Sequence, residues 1–173
     1  MDRKKLLWIL VLVPFLWQSP LFMGLAQSQS NPSLGGLTSM YVRVQPQEGS
    51  QETTGINLDQ LRADTEEQLS KAGITILPQQ EFERLQRSRG YPLALLDVDI
   101  GVFPIQGVDL KMYSISIRVR QSVFLSRKPV IRLWAPTWEM RDTGTTDDVA
   151  SIPERVRGAV SRLVGDYQSE NPK

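Results

Sequence analysis

The chain has 173 residues, 40% of them hydrophobic and 23% charged, with 20 Lys and Arg against 19 Asp and Glu. These are globular proportions with room for one ordinary core, and they exclude a disordered tail and the basic excess of a nucleic-acid binder. Cys and His are both absent, which removes disulfides, an acylated lipobox Cys, Ser-His-Asp and Cys-His catalysis, and ordinary zinc sites.

Arg3, Lys4 and Lys5 precede an apolar run from Leu6 to Trp17, followed by a polar stretch. Gly24 and Ala26 are small residues three and one positions ahead of a cut before Gln27. This three-part pattern predicts a secretory signal over residues 1–26. An uncleaved anchor is the alternative, since Leu6–Ala26 is close to the ~20 residues that span a bilayer. Pro14, Gln18, Ser19 and Pro20 weigh against it. In both cases the body is expected outside the cytoplasm, periplasmic or extracellular, with membrane contact only if Leu6–Ala26 is retained. Without residues 1–26 the balance becomes 17 basic to 18 acidic residues.

Residues 27–36, polar and containing Gly, Ser and Pro, read as a flexible leader. A single domain is expected over 37–168, with a short tail at 169–173. "LTSMYVRVQP" alternates, Met40, Val42 and Val44 on one side and Tyr41, Arg43 and Gln45 on the other, and reads as a strand. "NLDQLRADTEEQLSKAG" reads as a helix with Asn57 as its cap, Gln60 as capping-box partner, a stripe of Leu58, Leu61 and Leu69, and Gly73 as its stop. "ITIL" is a short buried strand, and "PQQEFERLQRSRG" adds a helical turn or two.

After Gly90, residues 92–103, 110–125 and 130–139 read as three consecutive strands of an antiparallel meander. In the middle one, Tyr113, Ile115, Ile117, Val119, Val123 and Leu125 face one way, and Ser114, Ser116, Arg118 and Arg120 the other. "TGTTDD" reads as a loop. "SIPERVRGAVSRLVGDY" is an amphipathic helix with a capping box from Ser151 to Glu154. The expected fold is therefore α+β: two layers, a mostly antiparallel sheet in the order strand-helix-strand-meander-helix, with the two long helices on one face and the other face wet.

Asp97 and Asp99 interrupt the apolar run "LALLDVDIGVF" and point to the same side of their strand. One reading makes them the polar face of a half-buried strand, opposite or diagonal to the Ser and Arg residues of the next strand. The other makes them a divalent-metal or acid–base pair. A Ca²⁺ site needs about 6–8 oxygen ligands, so Glu139, Asp142, Asp147 or Asp148 would have to contribute. No catalytic residue is nominated and no cofactor is expected.

Two features suggest binding. "WAPTW" places Trp134 and Trp138 at even spacing on one strand, interrupted by Pro136, a mark of an edge or a bulge. Such an edge could dock a protein partner, or both rings could be buried under helices. The polar side with Arg118, Arg120, Arg127, Lys128 and Arg132 could meet anionic lipid, polysaccharide or an acidic protein, or be solvated and neutralised by Asp97 and Asp99.

The early strand and helix ending in "AGI", the alternating "YSISIRVRQSVFL", the following "TW" and a final helix ending near "NP" together resemble a type of small exported bacterial protein of unknown function. The opening is similar, at the level of fold, to the amino-terminal domain of TolB and to outer-membrane assembly lipoproteins. That resemblance implies an envelope module, without the acyl anchor because Cys is absent. The function expected is an exported, non-catalytic envelope module that binds a protein or envelope component. The alternatives are a metal-dependent or carboxylate hydrolase working through Asp97 and Asp99, and an anchored accessory subunit of a membrane complex.

Overall fold

The computed structural model describes residues 31–50, 55–87 and 93–172. The signal, the anchor alternative and the cleavage point thus lie outside the described residues. In chain order the elements are β1 (Ser39–Pro46), α1 (Leu58–Lys71), β2 (Thr75–Ile76), α2 (Gln79–Gln86), β3 (Leu93–Pro104), β4 (Lys111–Leu125), β5 (Lys128–Thr146) and α3 (Ile152–Glu170). Short 3₁₀ turns at Pro32–Leu34 and Val149–Ser151 precede β1 and α3.

The strands form one five-stranded sheet in the order β2-β1-β3-β4-β5. β1 is parallel to both β2 and β3, while β3–β4 and β4–β5 are antiparallel hairpins. The fold is α+β on a mixed, mostly antiparallel sheet, as the alternation of the sequence predicts.

One sheet face carries the core. Met40 and Val42, then Leu96, Val98 and Ile100, then Ile115, Ile117 and Val119 are all buried there. They are covered by Leu61 and Leu69 of α1 and by Ile152, Val156, Val160 and Leu163 of α3. Asn57 caps α1 by accepting the Gln60 backbone N–H at 3.0 Å. The Gln60 side chain turns to Asp64 instead of closing the box.

The short helix α2 lies on the opposite face, where Phe82 packs with Leu77 and Leu93, flanked by Tyr41, Leu95 and Trp134. The crossovers β1-α1-β2 and β2-α2-β3 run in opposite directions across the sheet. A common right-handed sense then puts their helices on opposite faces. The second face is accordingly dry at the α2 end and open beyond it.

Three local expectations change. Residues 31–36 are not a loose leader: Leu34 is fully buried, Asn31 Nδ2 donates to the Thr137 carbonyl at 2.9 Å, and Asn171 Nδ2 donates to the Leu34 carbonyl at 3.0 Å. β5 runs on through "TGTT", because Thr143 and Thr145 suit a strand and Gly144 leaves room for the Tyr113 ring opposite it. A Cβ on Gly144 would lie 2.8 Å from the Tyr113 hydroxyl. Ser151 does not cap α3; its hydroxyl donates to the Asp148 carbonyl, and Asp148 caps the preceding 3₁₀ turn through the Ala150 N–H.

Candidate functional site: the charged face of the sheet

Strand alternation gives the face opposite the core its composition, and register arranges it in rows. Arg43, Asp97, Arg118 and Glu139 lie side by side across β1, β3, β4 and β5, with alternating charge. The next row is Gln45, Asp99, Ser116 and Arg141, and on the other side come Tyr41, Leu95, Arg120 and Pro136.

The two carboxylates sit on the middle strand, and the long side chains of both neighbours close over them. Asp97 is 0% exposed and Asp99 7%, so they are buried and not wet. Arg43 Nε donates to Asp97 Oδ1 at 2.6 Å, and Arg120 Nη1 lies 3.6 Å from Asp97 Oδ2. Gln45 Nε2 donates to Asp99 Oδ1 at 2.7 Å, and Arg118 forms an ion pair with Asp99 Oδ2. An unpaired buried carboxylate would cost several kcal/mol; here each has a guanidinium partner. Asp97 Oδ2 and Arg118 Nε are buried without a hydrogen bond.

Beyond the ion pairs the face opens into a groove of ≈ 670 Å³. Gln45, Ser114, Ser116, Arg118, Arg141 and Thr143 contribute to its lining, with Asp99 at its buried edge and the exposed carboxylate of Glu48 at its rim. Gly101 lets the Gln47 side chain and the Phe103 ring close in over β3, since a Cβ there would lie 2.6 Å from Gln47 Oε1 and from the ring. Arg141 is exposed and donates to Glu139 at 2.7 Å.

The carboxylates named with the pair do not converge on it. Glu139 lies at the far side of Arg118. Asp142 turns to the core side, where it accepts from the Tyr113 hydroxyl at 3.2 Å and lies 3.6 Å from Arg155. Asp148 is spent on a cap. Among the described residues no three carboxylates are grouped to hold a cation. At Tyr113, burial and then the Asp142 charge push the hydroxyl above the ordinary 10.0, against the lowering effect of Arg155.

Trp134 and Trp138 part company. A bulge between the Val119–Trp138 and Arg120–Pro136 pairs inserts Thr137 and reverses the alternation. Trp138 is buried in the core and donates from Nε1 to Asp166 at 2.8 Å. Trp134 is half-buried on the other face, edge-on to Phe82 with ring centroids 5.8 Å apart. Pro136 is the signal of this bulge, but its effect on side-chain direction is not readable from the sequence.

Of the nominated residues, register brings together Asp97, Asp99, Arg118 and Arg120. Arg43 and Gln45 complete the group and were not nominated, because nothing local says that β1 lies beside β3. Their polar alternation against Met40, Val42 and Val44 is the only signal.

No family model and no curated protein matches the chain. Among solved structures it is similar to the PelC dodecamer from Paraburkholderia phytofirmans, at 14% identity and a TM-score of 0.44, covering 80% of this chain and 93% of that one. A hypothetical protein of Chlamydia trachomatis matches at 9% identity and a TM-score of 0.43, covering 76% and 98%. Lipoprotein GNA1162 from Neisseria meningitidis matches at 16% identity and a TM-score of 0.36, covering 75% and 99%. These are distant likenesses of a small bacterial α+β fold, and the expected kinship with TolB is not shown by them.

Proposed function

We propose that this protein is an exported, non-catalytic module of the cell envelope that binds a protein or envelope component on the open part of its charged sheet face. The observation that supports this most is the engagement of Asp97 and Asp99. Both carboxylates are buried and held by guanidinium and amide donors from two neighbouring strands. A general acid–base pair needs groups that reach substrate and change protonation there, whereas these two hold β1, β3 and β4 in register. What remains accessible is a groove lined largely by hydroxyl, amide and guanidinium groups with a single exposed carboxylate, Glu48, which suits recognition more than a paired acid–base mechanism. Export rests on the Arg3–Ala26 pattern, and N-terminal sequencing of protein recovered from the envelope tests it: a start at Gln27 supports cleavage, and a start at Met1 supports the anchor.

The binding surface is tested with a photo-crosslinking residue placed in living cells at Thr143, in the groove, or at Arg162, exposed on α3. A discrete adduct from Thr143 and none from Arg162 supports the reading. No adduct from Thr143, or the same adduct from both sites, contradicts it.

A further inference from the structure

The β4–β5 hairpin outruns the rest of the sheet. Pairing of β3 with β4 ends at Ala94–Gln121, whereas β4–β5 pairing continues to Leu125–Lys128. Among the described residues, Ser122–Leu125 therefore have β5 as their only ladder partner. Arg132, directly opposite Phe124 in the ladder, has Nη2 donating to the Gln86 carbonyl at 3.0 Å, which ties the ribbon to the end of α2 on the Phe124 side.

The free end is apolar on both sides. Phe124, on the side of Arg120, is 61% exposed, and Leu133 is 45% exposed opposite Val123 on the other side. Between Lys128 and Arg132 the ladder is irregular, and there Val130 is 91% exposed with Ile131 beside it. Exposed apolar side chains on both sides of one ribbon end mark a contact with a protein or a membrane, and insertion into a membrane interface covers both sides at once. The charge is one-signed: Arg127 and Lys128 are exposed at the turn, and no Asp or Glu occurs from Leu110 to Trp138.

We propose that the end of the β4–β5 hairpin is a membrane-docking tip that places Phe124, Val130, Ile131 and Leu133 at the headgroup–acyl boundary of an anionic bilayer. Arg127 and Lys128 are at the turn itself, and their long side chains reach back along the ribbon to carry the charged heads to the lipid phosphates. Apolar burial and attraction to anionic headgroups act together, as membrane-surface binding requires in a chain without a Cys to acylate. The inference deepens the envelope reading by naming a surface for the module to rest on. Its test with pure components succeeds or fails whether or not the chain is exported and whether or not Thr143 finds a partner.

The chain from Gln27 onward, which contains every described residue, is sedimented with vesicles containing phosphatidylglycerol or made of phosphatidylcholine alone. The expected result is binding to the anionic vesicles that weakens with added salt. It should fall about tenfold or more in Phe124→Ser/Val130→Ser and in Arg127→Glu/Lys128→Glu. Both variants alter exposed side chains, so an unchanged thermal midpoint shows that they remain folded. No binding to anionic vesicles by the unaltered chain overturns the proposal, as does equal binding by folded variants. Conversion of a concentration-dependent dimer to monomer by the Ser variant, with no effect on vesicles, also overturns it and gives the tip to a second copy.

Discussion

Arg118 stands directly opposite Asp97 in the β3–β4 ladder, yet its guanidinium pairs with Asp99 two residues along. Asp97 is met from the other strand by Arg43 and diagonally by Arg120. Each carboxylate on the central strand is thus engaged from both sides, so the pair couples β1 to β4 through β3. Partly exposed arginines do this well because their stems cover the carboxylates while the heads keep some water.

That arrangement predicts measurable coupling between Asp97 and Arg43. A double-mutant cycle on folding stability with Asp97→Ala and Arg43→Ala should give about 1–2 kcal/mol. This lies above an exposed pair and below a fully buried one, since the Arg43 side chain is 41% exposed and Asp97 only 1%. Additive single effects in urea titrations would show that the contact carries nothing.

Docking of the first described residues predicts that Leu34 is part of the core. Leu34→Ala should cost about 2–5 kcal/mol, the range of a buried Leu truncation. A change within about 0.5 kcal/mol, the range of surface substitutions, would return residues 31–36 to a loose leader.

Tyr113 predicts a loss of stability in alkali. Its hydroxyl is raised above 10.0 by burial and then by the Asp142 charge, so the unfolded chain releases this proton first. The contribution is complete below pH ~10 and is lost as pH rises toward the higher native value. Melting followed from neutral pH upward should show the midpoint falling above pH ~10, with a shallower fall in Tyr113→Phe. Identical slopes would remove Tyr113 as the cause.

The two tryptophans should answer differently to the same change. Trp138→Phe strands the Asp166 carboxylate that its Nε1 serves at 2.8 Å, and should cost about 1.5–3 kcal/mol, the range for a bond to a charged group. Trp134→Phe removes part of an edge contact with Phe82 and should cost under about 1.5 kcal/mol. Equal losses in chemical denaturation would contradict the reversal of side-chain direction at Thr137.

Period-two alternation made the inward sides of β1, β3 and β4 readable, since each has an unbroken apolar row opposite polar residues. Asn57 and its Gln60 N–H were equally readable, being a contact within one turn. The long-range facts were not. That Arg43 and Gln45 meet Asp97 and Asp99 depends on β1 lying parallel beside β3, which sequence spacing does not encode. Pro136 announced a bulge but not that Thr137 would send Trp134 and Trp138 to opposite faces. Thr143 and Thr145 looked like a loop because polar side chains on an open sheet edge leave no apolar signature. Leu34 was lost in a polar, Gly-rich context, although Asn31 and Asn171 anchor the segment around it. The polar pair itself was visible; its burial was not, because covering it takes arginines from both neighbouring strands.

The central claim is that Asp97 and Asp99 hold the sheet together and do not handle a metal or a substrate. The most direct measurement is the thermal midpoint of the wild-type chain and of Asp97→Asn/Asp99→Asn, each with and without added Ca²⁺ or Mg²⁺. The account predicts a fall of roughly 6–12 °C in the variant, from about 3 kcal/mol of broken buried ion pairs, with no effect of the cation on either protein. A variant that melts with the wild type, together with a wild-type midpoint that rises when the cation is added, would contradict it.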